Sequence, residues 1–96
     1  MGINYFEYTN FYEFYENIED AKIKKLLQKH IAQKCRVVGE TVRNWISMKS
    51  IPFAQSNRVT DAVKQIAPLV EMDQHHITEK MLFPHFELEI EMYANH

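Results

Sequence analysis

The chain is poor in the residues that break or bend a backbone: two glycines, three prolines and one cysteine in 96 residues. Two glycines leave no room for a Gly-rich phosphate loop. Five glycines and prolines together are too few for a linker or a disordered tail, so an ordered, helix-rich composition remains. A lone Cys35 excludes an internal disulfide and fits a reducing compartment. No apolar run approaches the roughly 20 residues that a membrane helix needs, and no basic segment followed by an apolar one opens the chain. The expectation is a soluble, cytoplasmic protein without a membrane partner.

Chemistry is scarce as well. His75, His76, His85 and His96 stand near Glu71, Asp73 and Glu79, but adjacent histidines point in different directions. No Cys or His pair has the spacing of a structural zinc site. Cys35 and His30, five residues apart on one predicted helix, diverge and cannot act as nucleophile and base. No catalytic residue, metal, cofactor or small-molecule substrate is therefore expected, and the chain does not read as an enzyme.

What is present is strongly ordered along the chain. Residues 1–20 carry five acids and no base; residues 22–64 carry ten Lys and Arg against Glu40 and Asp61; residues 65–96 carry six acids against Lys80. The net charge of −2 thus hides a central block of +8 between two acidic flanks of −5 each. Such a block attracts phosphate whatever the overall charge. Its bland alternative is a solvated helical face that balances the flanks within one fold.

At this length one domain over 1–96 is expected. Seven of the eleven Phe and Tyr residues lie in the first 17 positions. Asn10 and Glu13 have capping-box spacing, and Phe11, Phe14, Tyr15 and Ile18 recur at helical intervals, which predicts a helix over 11–17. Its acidity argues for core packing or a subunit interface and against base stacking. Asn17 is the candidate cap of a second helix over 19–34, where Ala21, Ile23, Leu26, Leu27, His30, Ile31 and Cys35 make an apolar stripe opposite Lys22, Lys25, Lys29 and Lys34. A third helix over 39–48 turns Val42, Trp45 and Ile46 inward and Glu40, Thr41, Arg43, Asn44 and Ser47 outward.

The order of apolar residues from Gln28 to Ser47 is that of two short helices with a corner between them. It resembles the helix-turn-helix of the lambda repressor and Cro class, through Ile31, Ala32, Cys35, Val37, Val42, Trp45 and Ile46. Ala32 falls on the tight crossing, and Val37 plugs the turn. Two positions depart from the pattern. Arg36 stands where the motif has glycine, at a cost of about 1 kcal/mol if the backbone is left-handed there. Val38, which has no acceptor for free amides, stands where the motif has a Ser or Thr cap, leaving Gly39 as the candidate cap one residue later.

The resemblance implies an all-α bundle built on a motif core at 19–67, and a sequence-specific binder of double-stranded DNA that regulates transcription. Bases would be read in the major groove by Glu40, Thr41, Arg43, Asn44 and Ser47, where Arg suits guanine and Asn adenine. Lys25, Lys29, Lys34, Arg36, Lys49 and Arg58 would contact phosphates. The competing function is a protein-interaction or dimerisation module that keeps this scaffold without DNA, favoured by Arg36, Val38, Glu40 and the net acidity.

After the motif, Pro52 breaks the chain and a fourth helix over 53–66 presents Phe53, Val59, Ala62, Val63 and Ile66 on one side until Ala67-Pro68 stops it. In the extension 68–96, Asp73 is a candidate cap for a helix over 74–82 with Ile77, Met81 and Leu82 inward. Over 85–93, Phe86, Leu88, Ile90 and Met92 alternate with Glu87, Glu89 and Glu91. That period of two fits a short half-buried strand, which would pair with a second copy in a two-fold homodimer; an acidic helix is the alternative.

Overall fold

The computed structural model describes residues 8–85, and among them the fold is all-α. Helices run over Phe11–Glu16 (α1), Ala21–Cys35 (α2), Gly39–Ser47 (α3), Ser56–Ile66 (α4) and Glu79–Leu82 (α5), with 3-10 turns at Phe53–Gln55, Ala67–Val70 and Gln74–His76. The alternating segment at 85–93 lies, but for His85, outside the described residues.

α1 starts where its cap predicts. The Asn10 side chain accepts from the Glu13 amide at 3.0 Å, while the Glu13 carboxylate is engaged by the Thr9 hydroxyl, so the capping box is formed on one side only. Asn17 does not start α2. Its side chain donates to the Glu13 carbonyl at 2.8 Å and closes α1 instead. Asp20 takes the capping role, accepting from the Lys22 amide at 2.8 Å, and α2 begins two residues later than expected. It then runs unbroken for 15 residues.

α2 packs chiefly on α4, and on α3 at its other end. Leu27, Ile31, Val42, Val59, Ala62, Val63 and Ile66 are fully excluded from solvent and belong to one buried cluster. Trp45 and Ile46 pack against that cluster while remaining half-buried. The aromatic N-terminal segment joins the same core: Phe11 is fully buried and stacks on Phe83, ring centroids 5.9 Å apart, and Tyr8 meets Phe14 edge-on at 5.7 Å.

Three expected elements differ in detail, for one reason each. Phe53 falls in a 3-10 turn, whose tighter winding takes it off the α4 stripe, and it is 47% exposed. The stop at Ala67-Pro68 tightens the chain into another 3-10 turn, because proline has no amide to continue the α pattern. A single helix over 74–82 does not form. Asp73 caps only the turn at Gln74–His76, Ile77 is extended, and Thr78 caps α5 anew. That restart changes the helical phase, so Ile77 and Leu82 are buried but Met81 is 40% exposed. The buried Ser56 hydroxyl, 2.8 Å from a Glu79 carboxylate oxygen, ties α5 to the start of α4.

The chain closes helices without glycine. Arg36, Lys49 and Glu71 have φ of 57°, 52° and 59°, the left-handed residues among those described. After each, an amide returns to a carbonyl of the preceding turn: Val37 to Ala32 at 3.0 Å, Ser50 to Trp45 at 2.8 Å and Met72 to Ala67 at 3.0 Å. A side chain at such a position costs about 1 kcal/mol relative to glycine. Arg36→Gly should therefore raise unfolding free energy by about 1 kcal/mol in urea titration. By contrast, Ile31→Ala should lower it by about 3 kcal/mol, since it empties a fully buried site.

Candidate nucleic-acid interface

Three residues, Arg36–Val38, join α2 to α3. Arg36 turns left-handed and Val37 returns its amide to α2, which aims the chain into a new helix at once. Val38 is the residue that caps α3, and Gly39 is the first residue inside the helix, so Gly39 does not cap. No side chain satisfies the first amides of α3. Glu40 lies in that uncapped first turn, where the helix dipole favours an acid. This gives Glu40 a local role that needs no base contact.

The outward residues of α3 are placed much as the helical period predicts. Glu40, Arg43, Asn44 and Ser47 are exposed, and Thr41 is half-buried. Both ends of the helix carry exposed apolar residues, Val38 at 68% and Met48 at 74%. Gly39 lets Arg43 fold back closely: a Cβ on Gly39 would lie 3.3 Å from Arg43 Nη1.

Between α2 and α3 is an open groove of about 560 Å³. Lys25 and Lys29 line it from α2, Gly39 and Arg43 from α3, and Val37 from the connection; no Asp or Glu lines it. Lys25, Lys29 and Gln33 are spaced four apart, so they share one edge of α2. Gln33 is exposed there and adds an amide that a reading based on charge passes over; its signal was the same four-residue spacing. Gln28 also lines the groove, but its amide donates to the Tyr15 hydroxyl. Comparison with protein-family models, curated proteins and solved structures gives no match. The geometry therefore stands on its own.

The other predicted cations are dispersed. Arg36 is exposed at the turn, and Lys34 is half-buried in the last turn of α2, where a cation offsets the helix dipole. Lys49 follows α3 and lines a different cleft. Arg58 is exposed on α4, donates to Gln55 Oε1 at 3.1 Å, and lies near enough to Cys35 to act on it electrostatically. Lys24 sits over the Tyr15 ring, 5.1 Å from its centroid, and is committed to the fold.

Among the described residues no three His, Cys, Asp or Glu side chains converge as a metal site, and no helix is long and apolar enough to cross a membrane. Burial pushes the Cys35 thiol above its ordinary range, and the Arg58 charge only partly opposes this. Tyr12 is likewise raised by burial, opposed by the Ile51 amide that donates to its oxygen. Groups raised in this way stabilise the fold while neutral, and that contribution is lost as pH climbs through their folded pKa values. Stability measured by urea titration should therefore fall on the alkaline side, and less steeply in Cys35→Ser. Cys35 should also react with iodoacetamide only above the ordinary thiol range until the chain is unfolded.

Proposed function

We propose that this chain binds double-stranded DNA in a sequence-specific way and acts as a transcriptional regulator in the cytoplasm, on a helix-turn-helix formed by α2, Arg36–Val38 and α3. The observation that carries the reading is the acid-free groove in which Lys25 and Lys29 of α2 meet Arg43 of α3. In this reading the edge of α2 rests on the phosphate backbone, and the exposed side of α3 enters the major groove with Arg43 and Asn44 against base edges. Arg36 and Lys49, at the two ends of α3, supply flanking phosphate contacts; both occupy backbone positions where glycine is more stable. A homodimer would present two copies of α3 to paired half-sites about 34 Å apart.

The exposed Val38 and Met48 support the other reading, a protein-interaction module, since a partner helix would cover both. The two separate in one experiment. A preferred duplex is selected from a random pool, and its affinity is compared between the wild type and Arg43→Ala/Asn44→Ala by fluorescence anisotropy. DNA reading predicts a loss of about tenfold or more with an unchanged thermal transition. It also predicts that affinity for mixed-sequence duplex falls roughly a thousandfold between about 50 and 200 mM salt. No salt-sensitive binding, or no effect of the double substitution, rejects DNA reading in favour of the interaction module.

Arg36→Gly gives a separate prediction: weaker DNA binding by about threefold to tenfold in a protein that unfolds at higher denaturant, since one phosphate contact is removed as backbone strain is relieved.

A further inference from the structure

A cleft of about 390 Å³ shares no residue with the basic groove. Three distant parts of the chain build it: Asn10 and Tyr12 at α1, Lys49–Ile51 after α3, and 82–85 at and beyond the end of α5. Four of its polar side chains, Asn10, Tyr12, Lys49 and Ser50, have protons to offer, while the His85 imidazole can donate or accept. The Asn10 carbonyl oxygen is taken by the Glu13 amide, which leaves the Asn10 NH₂ to donate. Tyr12 Oη accepts from the Ile51 amide at 3.0 Å, so its hydroxyl proton is directed elsewhere, and a phenol keeps that proton at neutral pH. Lys49 and Ser50 add an ammonium and a hydroxyl, and no Asp or Glu lines the cleft. His85 stands exposed at the edge, and the rest of the wall is Pro84 with the firmly held Ile51, Leu82 and Phe83, all three at or below 5% exposed.

Donors of one sign beside a fixed apolar wall call for a ligand with an anionic acceptor at one end and an apolar body at the other. We propose that the cleft binds a small amphipathic monocarboxylate, its carboxylate held by Lys49 and the Tyr12 hydroxyl and its aromatic or branched body against Ile51 and Phe83. The volume lies within the range of small-molecule sites. Lys49 is shared with the phosphate contacts proposed for DNA, but no other cleft residue is, and the site is tested in the absence of DNA.

The test is a titration of the full chain, followed by amide chemical shifts, with three probes: sodium phenylacetate, sodium acetate and benzyl alcohol. Phenylacetate should shift the Ser50 and Ile51 amides saturably with Kd of about 1 mM, whereas acetate and benzyl alcohol, each carrying half of the recognised chemistry, should bind about tenfold more weakly. Lys49→Gln, at an exposed position, should weaken phenylacetate about tenfold, and Tyr12→Phe, which keeps the ring, about fivefold. A Tyr12→Phe chain that unfolds leaves Lys49→Gln to decide. The proposal is overturned by absence of saturable shifts at Ser50 and Ile51 up to about 20 mM phenylacetate, by equal binding of benzyl alcohol, or by a Lys49→Gln affinity equal to wild type.

Discussion

Everything in this fold depends on the apolar face that α2 buries against α4. Leu27 and Ile31 on one helix and Val59, Ala62, Val63 and Ile66 on the other are wholly removed from water. Burial of that extent fixes α2 by its inner side and necessarily leaves the opposite side in solvent. The lysines at 25 and 29 lie on that outer side, so core packing and surface charge are two consequences of one helical period. α3 is then set by a connection of three residues, too short to allow much freedom.

That connection is made under strain. Arg36 accepts a left-handed backbone so that Val37 can return its amide to α2, and Lys49 does the same at the far end of α3. With only two glycines in the chain, the left-handed positions among the described residues fall on charged residues, Glu71 included. The strain at Glu71, far along the chain from α3, shows that such a position is not confined to the motif. At Arg36 and Lys49 it places cations beside the helix that presents Arg43 and Asn44.

Much of this was legible in the order of residues. The inward set at Val42, Val59, Ala62, Val63 and Ile66 follows from a period of 3.6, and the structure buries it; of the α2 stripe it buries Leu27, Ile31 and Cys35, leaves Ile23, Leu26 and His30 half-buried and exposes Ala21. The left-handed strain at Arg36 was legible as well, from the missing glycine. The misplaced features share a local cause. Asn17 and Asp20 are equally good caps by type, and the choice was made by Asn17 bonding back to Glu13. Phe53 and Met81 left their predicted faces because 3-10 turns and a second cap at Thr78 reset the helical phase, and periodicity counted across such breaks goes astray. Of the candidate interface, spacing placed Lys25 and Lys29 on the outer side of α2 and Arg43 on that of α3, and the fold brought them to one groove. Spacing could not have assembled the Tyr12, Lys49 and Phe83 cleft, whose parts lie more than thirty residues apart and meet only through the tertiary fold.

The central claim is that the outer sides of α2 and α3 form a surface for DNA. It is tested most directly by mapping amide shifts of the full chain on addition of a mixed-sequence duplex at low salt. The account predicts that the largest shifts fall on Lys25, Lys29, Gln33, Arg36, Arg43, Asn44 and Ser47, and that they vanish as salt is raised. Shifts confined to the acidic N-terminal segment or to α5, or none at all, would contradict it.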